Sequence, residues 1–365
     1  MTEFDLIRTL SSRFPATDGI VGIGDDCAVI PGDEEDLLVT TDLLAEGVHF
    51  LFDRISPYDL GWKSAAVNIS DIAAMGGTPR HAFLSIALPP SVIPGSDRES
   101  PSSWLDSFSD GFADSCHRFG VTLLGGDTSA SKGGIFINVT LIGSCPRGTA
   151  LLRSGARPGD LICVTGTLGD SAAGLRLLQE CDGPGDSSAP LRSGRNDREM
   201  PDRVGHDEWS GHEETVGTAA PGGHDEMPEQ VGHDEAYLLQ RHFRPEPRVA
   251  EGQALRQCPG VHAMMDVSDG VAADLPHILE ASGGLGATVD VATLPLSPQL
   301  RRLCASRGWD PVDLALCGGE DYELLFTLAP NALPPVACTV IGTVEAAPGL
   351  TWQGGRSDYS GFRHF

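Results

Sequence analysis

Between Cys181 and Glu235 the chain has almost no apolar periodicity, is rich in Gly, Pro, Ser and acid, and repeats itself. Gly205-His206-Asp207-Glu208, Gly223-His224-Asp225-Glu226 and Gly232-His233-Asp234-Glu235 are copies, with Gly211-His212-Glu213-Glu214 a degenerate one. Such a composition cannot bury enough apolar surface to offset the entropy of ordering it. About 181–235 therefore reads as a disordered insertion, and whatever folds must fold around it. The His-plus-carboxylate repeats could hold a divalent metal loosely or could be no more than an expanded surface loop.

The flanking blocks alternate between strand-like and helix-like periodicity. In the first, Leu37–Thr41, Phe83–Leu88 and Phe136–Ile142 read as strands, and Pro57–Met75 as a helix stopped by Gly76-Gly77. In the second, Leu161–Thr165, Ala287–Val291, Tyr322–Leu328 and Cys338–Val344 read as strands, with Ser171–Gln179 and Gly270–Ala281 as helices. Gly, Arg and Pro gather at Arg147–Pro158 before a fresh strand. A length of 365 residues then gives an α/β chain (α+β type) of two domains, 1–148 and 149–365, the insertion interrupting the second.

Composition excludes several functions. Lys+Arg number 25 against 51 Asp+Glu, a formal charge of −26, so neither nucleic acid nor an anionic membrane is the expected partner. The only lysines are Lys63 and Lys132, and neither follows a glycine, so there is no P-loop. The 9 cysteines are odd in number and form no C-x-x-C pair, which argues against zinc, redox or disulfide roles and suits a reducing cytosol. Met1-Thr2-Glu3-Phe4-Asp5 carries acids where a signal peptide carries bases, and no apolar run approaches the roughly 18 residues of a membrane span. A cytoplasmic protein is expected.

The informative feature is a series of acids beside glycines or small residues at the expected ends of elements. They are Asp25-Asp26, Asp42, Asp71, Asp127, Asp266 and Asp269, and Glu320-Asp321. Any one of them could be a turn former or a helix cap. Asp71 fits that reading least, since it lies near the carboxyl end of its helix, where the dipole disfavours negative charge. If the acids converge, their repulsion calls for cations, and hard divalent ions, Mg²⁺ before zinc, suit carboxylate and hydroxyl ligands. Mg²⁺ held by a few carboxylates usually also meets phosphate, which implies a nucleotide or another phosphate ester. The glycine-rich run Gly166–Gly174 could offer N–H groups to phosphate, and Arg153 could clamp one or form a surface salt bridge.

Taken in order, these runs resemble the thiamine-monophosphate kinase family. The matching stretches are Gly22-Ile23-Gly24-Asp25-Asp26-Cys27-Ala28, Thr40-Thr41-Asp42 with His49, Val67–Gly76, Gly125-Gly126-Asp127-Thr128, Arg153–Asp160 and Val164–Leu175. Asp266-Val267-Ser268-Asp269-Gly270, Gly318–Leu324 and Gly361–Phe365 complete the set, so all but about 181–235 is covered. The resemblance implies an aminoimidazole ribonucleotide synthetase-like fold whose amino-terminal domain forms a homodimer. It implies ATP-dependent phosphorylation of thiamine monophosphate to thiamine diphosphate with several Mg²⁺ ions. It implies metal ligands at Asp26, Thr40, Thr41, Asp42, Asp71, Asp127, Asp266 and Asp269, and ATP contacts at Gly126, Asp127, Arg153 and Ser268. Substrate contacts would be His49, Glu320 and Tyr359, with Phe362 a competing aromatic in the tail. No catalytic side chain is expected beyond those that position metal and phosphate. One departure is that Ser129-Ala130-Ser131 stands where the family often carries a basic residue. The alternatives are a sister ATP-dependent enzyme of that superfamily and a non-catalytic, nucleotide-binding maturation factor.

Overall fold

The computed structural model describes residues 19–89, 92, 103–180 and 227–361. The first sheet contains β1 (Ala28–Ile30), β2 (Glu35–Ala45), β3 (Thr78–Leu88), β4 (Thr122–Ala130) and β5 (Phe136–Pro146), in the order β1-β2-β5-β3-β4. All neighbours are antiparallel except β3 and β4, whose parallel pairing needs the crossover helix between them. Two helices, α1 (Pro57–Ala74) and α2 (Ser103–Arg118), lie in this half. Strand alternation sorts β2 into two faces: Leu38, Thr40 and Leu44 are buried, whereas Leu37, Thr41 and Leu43 are exposed.

The second sheet has the order β11-β8-β10-β6-β9-β7. Its strands are β6 (Leu161–Val164), β7 (Val261–Asp266), β8 (Gly286–Asp290), β9 (Leu324–Leu328), β10 (Thr339–Glu345) and β11 (Gly349–Gln353). Around it run α3 (Asp170–Glu180), α4 (Met227–Phe243), α5 (Val249–Arg256), α6 (Val271–Ala281), α7 (Pro298–Arg307) and α8 (Pro311–Cys317). The chain is thus mixed α/β with two sheets, as its periodicity implies. Among the described residues no helix is long and apolar enough to cross a membrane.

Helix α1 joins the two halves. Its start is set by Ser56, whose hydroxyl accepts the Asp59 N–H, and by Pro57 at the first helical position. Its body is almost all small or apolar, and a helix of that kind has to be covered on every side. Ile69 and Ile72 enter the core of the first sheet, while Ala74 joins a cluster with Leu255, Met264 and Phe326 of the second half. Trp62 Nε1 donates to the Pro245 carbonyl at 3.0 Å, and Arg256 Nε to the Gly76 carbonyl at 2.8 Å, closing the two ends of that contact.

The structure holds several elements that the sequence reading lacks: β1, β7, β11, α5, α7 and α8, besides those that follow. Helix α2 and strand β4 were not anticipated; β4 carries Gly125-Gly126-Asp127, turn-type residues that here lie mid-strand at a sheet edge. The expected insertion at about 181–235 falls outside the described residues as far as 226, but its last part is helical, because α4 begins at Met227. Asp234 is buried on α4 and takes two hydrogen bonds from Arg302, both 2.8 Å, so one His-Asp-Glu repeat is tied into the fold.

The closest helix crossing gives a test. A Cβ on Gly61 of α1 would lie 2.0 Å from the Phe108 carbonyl of α2, a distance no packed side chain tolerates. Gly61→Ala is expected to lower stability by about 1–3 kcal/mol, read as a shift in the urea midpoint. An unchanged midpoint would show that the two helices are not held at this separation.

Candidate active site

Side chains from β2, β7 and two loops meet those of α1 near its end. Carboxylate oxygens of Asp26, Asp71 and Asp266 lie within 4.8 Å of one another, brought from the turn before β1, the end of α1 and the end of β7. Asp26 Oδ1 accepts from Arg153 at 2.5 Å, while its Oδ2 is buried with no hydrogen-bond partner. Asp71 accepts the Thr40 hydroxyl, and Asp266 accepts the Ser70 hydroxyl at 2.5 Å. Asp25 accepts the Arg153 backbone N–H at 2.9 Å, and the Asp42 backbone N–H donates to Asn68 at 3.1 Å.

Crowding of like charge in a dry place shows in the acidities. Burial, then the charge of Asp26, raises Asp266 to about 7 and Asp42 to about 6. Burial, then Asp42, Asp266 and Asp26, holds Asp71 well above the usual carboxylate range. Asp25 rises to about 6 through burial, partly offset by its bond from Arg153. The donors are hydroxyl and carboxylate oxygens, a set that hard divalent cations take.

The other residues singled out from sequence are placed as follows. Thr40 and Asp42 stand on the helix-covered side of β2, whereas Thr41 points to the open face, where its hydroxyl meets Thr140 at 3.1 Å. Asp127 is exposed on β4, opposite Ser85, and accepts the N–H of Thr128 at 2.9 Å. Gly126 lies beside it in the same edge strand, opposite Leu84. Thr41 and Asp127 therefore stay apart from the three-aspartate group within one chain. Asp269 is half-buried at the start of α6, and its charge, after burial, pushes Asp274 well above the ordinary range. The Ser268 carbonyl accepts the Glu320 N–H at 2.8 Å.

Glu320 forms a second centre. Lys63 Nζ lies 2.9 Å from both of its oxygens, and His242 Nδ1 is 3.3 Å from Oε2. Burial pushes the Glu320 carboxyl up, but the Lys63 ammonium, the largest of the opposing causes, holds it below the ordinary glutamate range. His49 itself accepts the Ala45 N–H at 3.0 Å. Glu320 (φ +64°) and Tyr322 (φ +51°) both adopt the left-handed backbone region, which is costly for residues with a Cβ. Tyr359 packs edge-on against Trp352 with the Arg356 guanidinium over its ring; Phe362 lies outside the described residues.

The neighbouring acids do other work. Asp321 accepts the N–H groups of Gly169 and Ser171 at 2.6 and 3.1 Å, so these amides of the glycine-rich run serve a carboxylate within the chain. Glu323 takes hydrogen bonds from Thr165, Arg241 and Arg248. Lys63, Ser70, Asn68 and His242 were not foreseen as members of the site. A lone lysine inside a helix of small apolar residues was the one available signal.

Residues 24–145 match the family model described as AIR synthase related protein, N-terminal domain. The chain is 40% identical over 333 residues to the thiamine-monophosphate kinase of Escherichia coli K12, spanning 89% of this chain and 82% of that protein. Against the thiamine-monophosphate kinase of Aquifex aeolicus it is 33% identical over 370 residues, spanning 100% and 98%. A solved structure described as AaThiL complexed with AMPPCP and TMP is similar with a TM-score of 0.77 and 33% identity, covering 100% of this chain and 97% of that one.

The raised acidities have a consequence for stability. Asp266 titrates near 7 when folded and near 3.8 when unfolded, so the folded protein keeps a proton the unfolded chain has released. Its contribution to stability is full below about pH 4 and is lost as pH rises towards about 7. In a chelating buffer, Asp266→Asn is expected to stabilise the protein near pH 7, with the gain shrinking towards pH 4. Denaturant midpoints measured across that range check this; a gain that grows on acidification contradicts it.

Proposed function

This chain belongs to the thiamine-monophosphate kinase family, and we propose that it transfers the γ-phosphoryl group of ATP to thiamine monophosphate, giving thiamine diphosphate. The observation that carries the reading is the meeting of Asp26, Asp71 and Asp266 beside Arg153, in a chain that is 40% identical to such a kinase.

The residues fit Mg²⁺. Asp26 Oδ2 is buried and unpartnered, and burial, then the charge of neighbouring carboxylates, makes Asp71 and Asp266 harder to ionise. Asp26, Asp42, Asp71 and Asp266, with the Thr40 hydroxyl, would hold the ions. When bound, Mg²⁺ supplies the positive charge that these acids and the substrate phosphates call for. Arg153 brings a guanidinium to the same place; its Nε is buried without a partner and suits a phosphate oxygen. The acceptor phosphate monoester has its second pKa at about 6, so it is mostly ionised at neutral pH and no side chain has to take its proton. The protein's task is therefore positioning and electrostatics, with the two phosphates held in line. His49 and Glu320 would meet the thiamine moiety, with Tyr359 or Phe362 as its aromatic neighbour.

A homodimer fits the rest. Ile30, Leu37, Leu43, Phe83 and Phe136 leave the open side of the first sheet apolar and exposed, a patch suited to a second copy of the chain. Thr41, Gly126 and Asp127 lie on or beside that side, so their roles towards metal and ATP belong with the dimer. The strands of the first sheet come from 28–146 and those of the second from 161–353, which supports a reading of two domains, 1–148 and 149–365. A cytoplasmic location fits the free thiols among the described residues.

With ATP, Mg²⁺ and thiamine monophosphate, the purified protein is expected to form thiamine diphosphate, separated and quantified by chromatography. Asp71→Asn should lower kcat by roughly a thousandfold while leaving the circular dichroism spectrum intact. Wild-type turnover in that variant would remove the metal assignment. A folded, ATP-binding protein that makes no thiamine diphosphate would point to a sister activity on the same scaffold.

A further inference from the structure

Lys63 is completely buried, although a lysine normally keeps its ammonium in water. Its charge is met by Glu320, whose two oxygens both lie 2.9 Å from Nζ. The pair is unequal: the Lys63 side chain is 0% exposed, whereas that of Glu320 is 24% exposed. The ammonium is thus sealed behind a carboxylate that still reaches the surface, and the pair presents its negative end outward.

The surroundings fix that arrangement. Lys63 stands on α1, on the same stripe as Ser70 and Asp71, so the helix that orders the three-aspartate group also orders Glu320. The Glu320 loop is pressed against the loop after β7; a Cβ on Gly319 would lie 2.1 Å from the Ser268 carbonyl. Across the carboxylate stands His242, whose Nδ1 is also 3.0 Å from the Ser171 hydroxyl. Burial, and then the Lys63 charge, pushes that imidazole down to about 3, so it is a neutral partner and Lys63 provides the cation behind Glu320.

We propose that Lys63 is a positioning residue for substrate recognition: acting through Glu320, it aims a charged carboxylate outward at the cationic heterocycle of thiamine monophosphate. This rests on the kinase reading above. Lys63 touches no substrate itself, and its effect falls on the binding of one of the two substrates.

The test is steady-state kinetics on the full chain with Lys63→Met, Glu320→Gln and the double variant. Lys63→Met is expected to raise KM for thiamine monophosphate about tenfold or more, with kcat within about threefold and KM for ATP unchanged. Since Lys63 acts only through Glu320, the double variant should match Glu320→Gln within about twofold. Removing one partner of a buried pair can unfold a protein, and the charge-balanced double variant then decides, measured against Glu320→Gln. A wild-type KM in folded Lys63→Met, an equal change in both KM values and kcat, or losses that multiply in the double variant would each overturn the proposal. A wild-type KM in Glu320→Gln overturns it too, while leaving the kinase reading intact. Failure of the kinase reading is distinct, because the unmodified protein would then make no thiamine diphosphate.

Discussion

Everything at the site depends on α1 being buried between two sheets. A helix in the interior has no solvated face on which to leave polar groups, so each one it carries must find a partner in the layer it meets. Ser64 bonds back to the Leu60 carbonyl, Asn68 receives the Asp42 N–H, Ser70 reaches Asp266, and Lys63 reaches Glu320. The small residues between them let both halves of the molecule approach closely enough for those bonds to form. Packing and site geometry are therefore one problem: the contacts that cover the helix also align side chains from β2, β7 and the loop before β9.

Charge is distributed within that frame by burial more than by number. A chain so rich in acid and poor in lysine could surround its carboxylates with water, yet several stand in the interior. Some are answered by cations of the chain: Glu323 by Arg241 and Arg248, and Asp234 by Arg302. Asp321 is answered by backbone amides. Among the described residues, the group of Asp26, Asp71 and Asp266 is met by the Arg153 guanidinium, and the Asp26 Oδ2 oxygen has no hydrogen-bond partner. The contrast is between acids answered within the chain and a group whose charge is only partly answered there.

Much of this was legible in the sequence, and what was not has identifiable causes. Alternation gave the strands around Leu38 and Val139, and the start of α1 at Pro57 follows from its capping serine. The motif order pointed to Asp26, Asp71 and Asp266, which do meet. Strand β4 was hidden because Gly125-Gly126-Asp127 is turn chemistry, tolerated where an edge strand has little to pack against. That Thr41 turns away from Asp42 is a matter of strand parity, which fixes the faces once the register is known. The glycine-rich run before α3 looked open to phosphate because nothing local reveals that Asp321, far along the chain, already takes its amides. Lys63 is the same kind of case: its meaning lies in a residue 257 positions away.

Arg307 holds Glu180, the last residue of α3, with one nitrogen at 3.0 Å and Glu235, on α4, with another at 2.6 Å. Both ends of the repeat-bearing stretch are thus tied to a single side chain on α7. That side chain, with Arg302 on the same helix holding Asp234, locks α3 and α4 together against α7, so the position of α4 is set by α7 as much as by its own neighbours in sequence.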